Sequence, residues 1–297
     1  MGPLMSRLAI LGYGTEGQAA YRYFADRYDS VSIRDRDPER RVPPGISARL
    51  GEDYLADLDD FDLVVRSPGV DPRLLPADLA TTSVTRHVFD NCRAPVIGVT
   101  GTSSDVVAHL IGAMLSAAGH QVWQGGNVAG PPIDLVEQAT PDHYAVLALS
   151  SFQLQDVTVS PTLAVLLDID GPDLKYHDDM DQYVAAKANI VRFQEQDDIV
   201  VFSPHHRHSR RVAEQSPGHR QPYHAPPFAH LLDGRLRIGD RTLVDLRATR
   251  FTSDMASIPA AALTAVWNIA PDPEATCRAL VEFEPDIRRA KHHGRAW

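Results

Sequence analysis

Gly12-Tyr13-Gly14-Thr15-Glu16-Gly17 follows directly on an apolar run at 7–11, and an acid, Asp35, comes at the end of the next apolar run. Glycines at this spacing let the chain turn sharply from strand to helix. The helix start they expose can hold a diphosphate on its free N–H groups. An acid about 20 residues further on is placed to reach a ribose or a base. Gly14, Thr15, Glu16, Gly17, Asp35 and Arg36 are therefore candidate ligand contacts. The same glycines also suit a tight turn that binds nothing, and spacing alone does not separate the two readings.

Other residues of chemical interest come in short blocks. They are Ser67-Pro68-Gly69, Gly98 to Thr102, Gly125-Gly126-Asn127, Leu149-Ser150-Ser151-Phe152-Gln153-Leu154 and Tyr183 to Lys187. Lysine occurs only at 175, 187 and 291, so Lys187 stands out where arginine is the usual cation. His205, His206 and His208 have a spacing that metals use. They lie in a His/Arg/Pro-rich stretch with no cysteine or carboxylate pairing, so a solvated loop is expected there and no metal site.

The elements that must position these blocks are legible from hydrophobic runs. Residues 7–11, 30–34 and 62–65 read as strands, with a helix between the first two. Val96 to Thr100, Tyr144 to Leu149, Leu163 to Leu167 and Asp198 to Phe202 read as further strands. Helices are expected from Asp105 to Ala118, Tyr183 to Phe193, Ala260 to Ile269 and Pro273 to Phe283. Strands alternating with helices imply an α/β fold with a mostly parallel sheet. Residues 203–230 lack periodicity and read as a long surface excursion, before short strands near 236–238 and 243–246.

In their order along the chain, these blocks resemble the Mur ligases, in particular the branch that adds D-glutamate. Leu149 to Leu154 and Tyr183 to Lys187 are the most specific pieces, and the resemblance spans nearly the whole chain. It implies a Rossmann-like domain over 1–91 that binds a UDP-muramoyl nucleotide. A P-loop-type central domain would follow over 92–297. The segment 283–297 resembles the linker into the family's third domain, so that domain is expected to be absent. In the family, Asp35 and Arg36 lie by the uracil and ribose, Ser67 and Gly69 near the nucleotide, and Asn127 by the sugar-peptide part.

The resemblance also exposes departures. The family's phosphate loop ends in Gly-Lys-Ser/Thr, because lysine meets the β- and γ-phosphates and the hydroxyl ligates magnesium. After Thr102, this chain has Ser104, Asp105 and Val106 at those places. Ala148 stands where the family has a glutamate that helps hold magnesium. Asp173 replaces a histidine ligand, and the adenine-side Gly-His-Asn motif is missing near 252–258. Lys187 matches the family's carbamylated lysine, or else is a solvated helix lysine. ATP and Mg2+ are the family's cofactors, and neither is expected to be kept.

The expected function is a pseudoenzyme of peptidoglycan precursor synthesis that binds UDP-N-acetylmuramoyl-L-alanine or a related UDP-sugar. Two alternatives remain open: a divergent ATP-dependent C–N ligase completed by a partner chain, and a ligand-free scaffold. A protein partner or a second copy is left open. A formal net charge of −10 argues against nucleic acid. No apolar run reaches membrane-helix length. Two cysteines and no signal-peptide pattern favour a reducing cytoplasm.

Overall fold

A computed structural model of the chain describes residues 6–126, 130–171 and 176–284. Two parallel sheets and a small antiparallel one organise them. The first sheet holds β1 (Arg7–Leu11), β2 (Ser30–Asp35), β3 (Ser47–Leu50), β4 (Leu63–Arg66) and β5 (Thr81–Thr82). Their order is β3-β2-β1-β4-β5, and every pairing is parallel. Helix α1 (Thr15–Phe24) covers one face through Ala19, Ala20 and Phe24, which pack with Leu8, Ile10 and Ile33. Helix α2 (Val84–Asn91) lies between the two parallel sheets. Its Val84 joins the first sheet's core and its Val88 the second's.

The second sheet holds β6 (Val96–Thr100), β7 (Gln121–Gly126), β8 (His143–Ala148), β9 (Leu163–Leu166), β10 (Ile199–Phe202) and β11 (His219–Pro222). Their order is β11-β10-β9-β6-β8-β7, all parallel. Strands β6 and β9 are buried at every residue. A strand covered on both faces must be apolar throughout, which explains their unbroken hydrophobic runs. Ile97, Val99, Val165 and Val201 face a layer that includes α3 (Ser104–Ala117) and α8 (Ser257–Trp267). Alternate residues, among them Val96, Ala164 and Leu166, face the opposite layer with α6 (Met180–Arg192) and α7 (Arg207–Ala213). Two short helices, α4 (Leu135–Gln138) and α5 (Ser151–Leu154), flank β8 in sequence.

The stretch 203–230 corrects the sequence expectation of a surface excursion. It contains α7, β11 and the start of a third sheet. Val212, Ala213, Tyr223 and Ala229 are fully buried. The elements are only four to seven residues long, too short to show a period. Strand β11 reads His-Arg-Gln-Pro because it is an edge strand, where polar side chains and proline are tolerated. The third sheet joins β12 (Ala229–Leu232), β13 (Arg235–Ile238) and β14 (Arg241–Asp245), antiparallel throughout. Asp233-Gly234 turns the first hairpin with both residues at positive φ, as such two-residue loops require. Helix α9 (Pro273–Glu282) closes the described chain beside α3 and β14. Among the described residues, no helix is long and apolar enough to cross a membrane.

Two glycines at the start of α1 have different reasons to be there. A Cβ on Gly17 would lie 1.9 Å from the Gly12 carbonyl oxygen, whereas one on Gly14 would meet nothing within 4 Å. Gly17→Ala is expected to destabilise the fold by about 3 kcal/mol. Gly14→Ala should cost about 1 kcal/mol or less. Thermal or denaturant melts of the two variants check this, and equal losses would contradict it.

Candidate functional site

The Gly loop sits at the carboxyl ends of β1, β2 and β4. Gly12 takes φ +78°, donates its N–H to the Arg34 carbonyl at 2.7 Å, and accepts from the Ser67 hydroxyl at 2.6 Å. Helix α1 then begins with Gly14 as its cap, and no side chain satisfies the first-turn amides. Asp35 is buried beside this loop. Its carboxylate accepts from the Tyr13 N–H at 2.6 Å and the Asp37 N–H at 2.9 Å, and pairs with Arg40 at 3.3 Å. The acid that sequence assigned to a ribose thus holds the loop's own backbone. Arg36 is exposed next to it.

A polar seam joins this loop to the second sheet, and Arg66 is its centre. Only 1% of Arg66 is exposed. Its Nε donates to Asp156 at 2.8 Å, and Nη1 donates to the carbonyls of Ser67, Pro68 and Val70 at 3.0, 3.2 and 2.7 Å. Nη2 reaches the Phe152 carbonyl at 3.3 Å. The loop bearing Ser67 and Gly69 is therefore clamped from beneath. The Tyr176 hydroxyl donates to the Pro68 carbonyl at 3.0 Å and accepts from the Gln155 amide. Across the seam Gln153 donates to Glu16 at 2.7 Å. Gln153 also closes a capping box on α5 with Ser150. His177, stacked on Phe152, hydrogen-bonds the Ser151 hydroxyl at 2.9 Å.

Sequence reasoning missed Arg66, Asp156, Tyr176 and His177. A signal for Arg66 was present: a lone charge ending the apolar run Leu63-Val64-Val65, directly before Ser67-Pro68-Gly69.

The second loop lies at the carboxyl ends of β6 and β8. Gly101 takes φ +113° and passes so close to β9 that a Cβ would meet the Asp168 carbonyl at 2.8 Å. The Thr102 N–H donates to that carbonyl at 2.8 Å, and Ser104 opens α3. Asp105 Oδ1 accepts from the Val106 N–H at 2.9 Å, so the helix's own carboxylate takes up a first-turn amide. Val106 is buried in the core, and so is Ala148 at the end of β8, opposite Val99. An open groove of about 670 Å3 runs from Asp105 along α3 past His109 and Gln124 to Phe283. No lysine or arginine lines it among the described residues. These side chains do not fit a magnesium–polyphosphate, since the matched positions hold a carboxylate, an isopropyl and a methyl group.

Lys187 is buried, contrary to the alternative of a solvated helix lysine. Its Nζ donates to the Thr100 hydroxyl at 3.0 Å and lies 4.9 Å from the Tyr183 ring. The Thr100 hydroxyl in turn donates to the Leu149 carbonyl at 2.7 Å. Burial lowers the Lys187 pKa from 10.5 to about 8, with no described carboxylate to offset it. Thr102, Ser104, Asp105, Val106, Ala148 and Lys187 thus all sit at one end of the second sheet, around the ends of β6 and β8. Asn127 and Asp173 lie outside the described residues. The histidines near 205 do not converge: His206 caps α7 and meets Asp170 at 2.9 Å. No group of metal-ligating side chains is assembled among the described residues.

Fold and loops together define a class: parallel α/β units with glycine-rich turns at the carboxyl ends of their strands. The comparisons narrow it. Residues 81–224 match the Mur ligase middle domain. The UDP-N-acetylmuramoylalanine–D-glutamate ligase of Symbiobacterium thermophilum is 37% identical over 216 residues, 67% of this chain and 47% of that protein. The enzyme of the same name from Acetivibrio thermocellus is 32% identical over 228 residues, 71% of this chain and 49% of that one. Among solved structures, the UDP-N-acetylmuramate:L-alanyl-gamma-D-glutamyl-meso-diaminopimelate ligase from Neisseria meningitides superposes with a TM-score of 0.63. It is 16% identical, with 95% of this chain and 99% of that chain covered, and so speaks for the fold alone. The chain belongs to the Mur ligase family. It spans about half the length of the curated relatives it matches.

The buried ammonium has a consequence for stability. A folded-state pKa of about 8 lies below the ordinary 10.5, so folding disfavours the charged form. That cost is present in full below about pH 8 and fades as pH rises toward the ordinary value. Lys187→Met is expected to stabilise the protein at neutral pH by on the order of 2–3 kcal/mol. It should also abolish a rise in wild-type stability between about pH 8 and 10. Denaturant melts across that window test it. Identical pH slopes for the two proteins would refute it.

Proposed function

We propose that this Mur ligase relative binds a UDP-muramoyl nucleotide, with UDP-N-acetylmuramoyl-L-alanine the leading candidate, and has lost the use of ATP. The supporting observation is a contrast between two helix starts. At α1 the first-turn amides have no side-chain cap, and the space beside Gly14 is open. At α3 the N-cap Ser103 makes no side-chain cap either, but the first-turn Asp105 accepts from the Val106 amide, whereas the first-turn Glu16 of α1 turns away to Gln153. Both starts lie at the carboxyl ends of parallel strands, where such folds take anionic ligands. One leaves its amides open to a phosphate, and at the other a carboxylate already holds an amide.

The electrostatic difference is large. Two unit charges about 4 Å apart interact by roughly 4 kcal/mol at an effective dielectric near 20. Exchanging lysine for Asp105 reverses the sign of that contribution. Phosphoryl transfer depends on positioning and charge neutralisation, so such a reversal bears on chemistry as well as binding. Ala148 removes a carboxylate that would hold magnesium. On this reading, residues 1–91 form the nucleotide-binding domain and 92–297 a central domain that keeps the family's architecture. Gly14, Thr15, Gly17, Arg36, Ser67 and Gly69 are the contacts this reading assigns to the ligand, with Asn127 added by the family resemblance alone, while Asp35 shapes the loop.

Calorimetry with ATP and magnesium is expected to show no binding in the low micromolar range, about −8 kcal/mol. A dissociation constant in that range would overturn the loss of the ATP site. UDP-N-acetylmuramoyl-L-alanine at 100 times its dissociation constant should stabilise the fold by about 2.7 kcal/mol. For a chain of this size that is a melting shift of a few degrees. Gly14→Val keeps φ in an allowed region yet fills the open space, and should abolish the shift. Absence of both shift and heat with the wild-type protein would favour a ligand-free scaffold instead.

A further inference from the structure

Glu16 belongs to the first turn of α1, whose amides stand open at Gly14, but its side chain turns into the seam. Oε1 accepts from Gln153 at 2.7 Å. Oε2 is closed off from solvent and has no hydrogen-bond partner. Burial raises the pKa of this carboxyl, against the lowering by the Gln153 bond and by Arg66. The charged groups that face it are Arg66, from the end of β4, and Asp156, just beyond α5. Arg66 is already matched to Asp156 at 2.8 Å. With Glu16 ionised, two carboxylates and one guanidinium leave the cluster at −1 (−1 − 1 + 1). With Glu16 protonated it is neutral.

A diphosphate on the first turn of α1 would bring further negative charge beside this partly desolvated cluster. A like charge close by favours the neutral form of a carboxyl. An unpartnered, enclosed Oε2 is the atom best placed to take a proton, since a buried carboxylate oxygen that no donor meets is costly while charged and much less so when neutral. We propose that the Gly loop takes up its nucleotide diphosphate together with one proton, which comes from solvent and resides on Glu16. No bond of the ligand changes. The inference rests on the nucleotide reading of the loop given above and adds that its affinity is set by pH through Glu16. Below the Glu16 pKa affinity is flat; above it, affinity falls by up to tenfold per pH unit, because one proton must be bound with each ligand.

Calorimetry with UDP-N-acetylmuramoyl-L-alanine tests it, because the ligand's diphosphate is a diester with no group that titrates near neutral pH. The full chain is titrated at one pH in two buffers of different ionisation enthalpy, then across a pH series. Wild-type protein is expected to take up protons on binding, at most one per ligand and only above the pKa of Glu16 in the free protein, with affinity falling as pH rises there. Glu16→Gln preserves the side chain's shape. It should show no uptake and a flat profile, and bind about tenfold tighter than wild type at the alkaline end. Glu16→Ser, which shortens the side chain, should behave likewise, and melts of both variants establish that they are folded. Binding without proton uptake by the wild type, or with equal uptake by the folded variants, overturns the role of Glu16 and leaves the nucleotide reading intact. No heat from the wild type and either variant at any pH overturns the nucleotide reading, and this inference with it.

Discussion

A guanidinium with 1% of its surface exposed can persist only where its hydrogen bonds are met and its charge is matched. Arg66 meets both conditions by spanning two sheets. Asp156 from the second sheet's side neutralises it, and four carbonyls, three from the loop after β4 and one from α5, take its remaining donors. Because a buried unpaired charge is so costly, none of these segments can move alone. The loop that carries Ser67 is therefore fixed, Ser67 fixes the Gly12 carbonyl, and Gly12 sets where α1 begins. The geometry of the Gly loop is dictated from outside the loop.

The same seam explains why Leu149 to Leu154 is so distinctive a stretch of sequence. Ser150 and Gln153 cap α5 reciprocally, which satisfies amides that a four-residue helix would otherwise leave bare. Gln153 accepts in that box through its side-chain oxygen, so its amide nitrogen can donate across the seam to Glu16. Ser151 meets His177, and Phe152 stacks on the same imidazole. Ser151, Phe152 and Gln153 thus each have a partner on another element. None of those contacts requires a nucleotide, so the block holds the two sheets together whether or not the chain performs chemistry.

Much of the architecture could be read from the chain because long apolar runs mark strands buried on both faces, and 96–100 and 163–167 are of that kind. What escaped was set by tertiary context. Strand β11 carries no hydrophobic signature because it is an edge, and α7 is one short amphipathic stretch among arginines and histidines. Lys187 was legible as a motif position but not as a buried group, since its burial comes from β6 passing beneath α6. Asp35 was legible as a strand-end acid. That it spends its carboxylate on the Tyr13 and Asp37 amides depends on how the loop folds back, which no spacing rule contains.

The glycines show most clearly which residues the fold demands and which it merely permits. Gly12 and Gly101 hold backbone conformations that side chains resist, and Gly17 abuts a carbonyl. Any protein with these turns needs them, so they say little about a ligand. Gly14 is different: its φ is −77° and its surroundings are empty, so neither backbone nor packing excludes a larger residue there. Serine, aspartate or asparagine at that position would cap the helix better. At α3 the N-cap Ser103 makes no such bond, but Asp105 in the first turn takes up the Val106 amide and complements the helix dipole. A helix start left bare is less stable than one that is capped, and a bare start facing open space is what close approach by a phosphate requires. The two loops share a place at the carboxyl ends of parallel strands, and they differ in what the first-turn acid touches: Glu16 reaches Gln153 across the seam, and Asp105 holds an amide of its own helix.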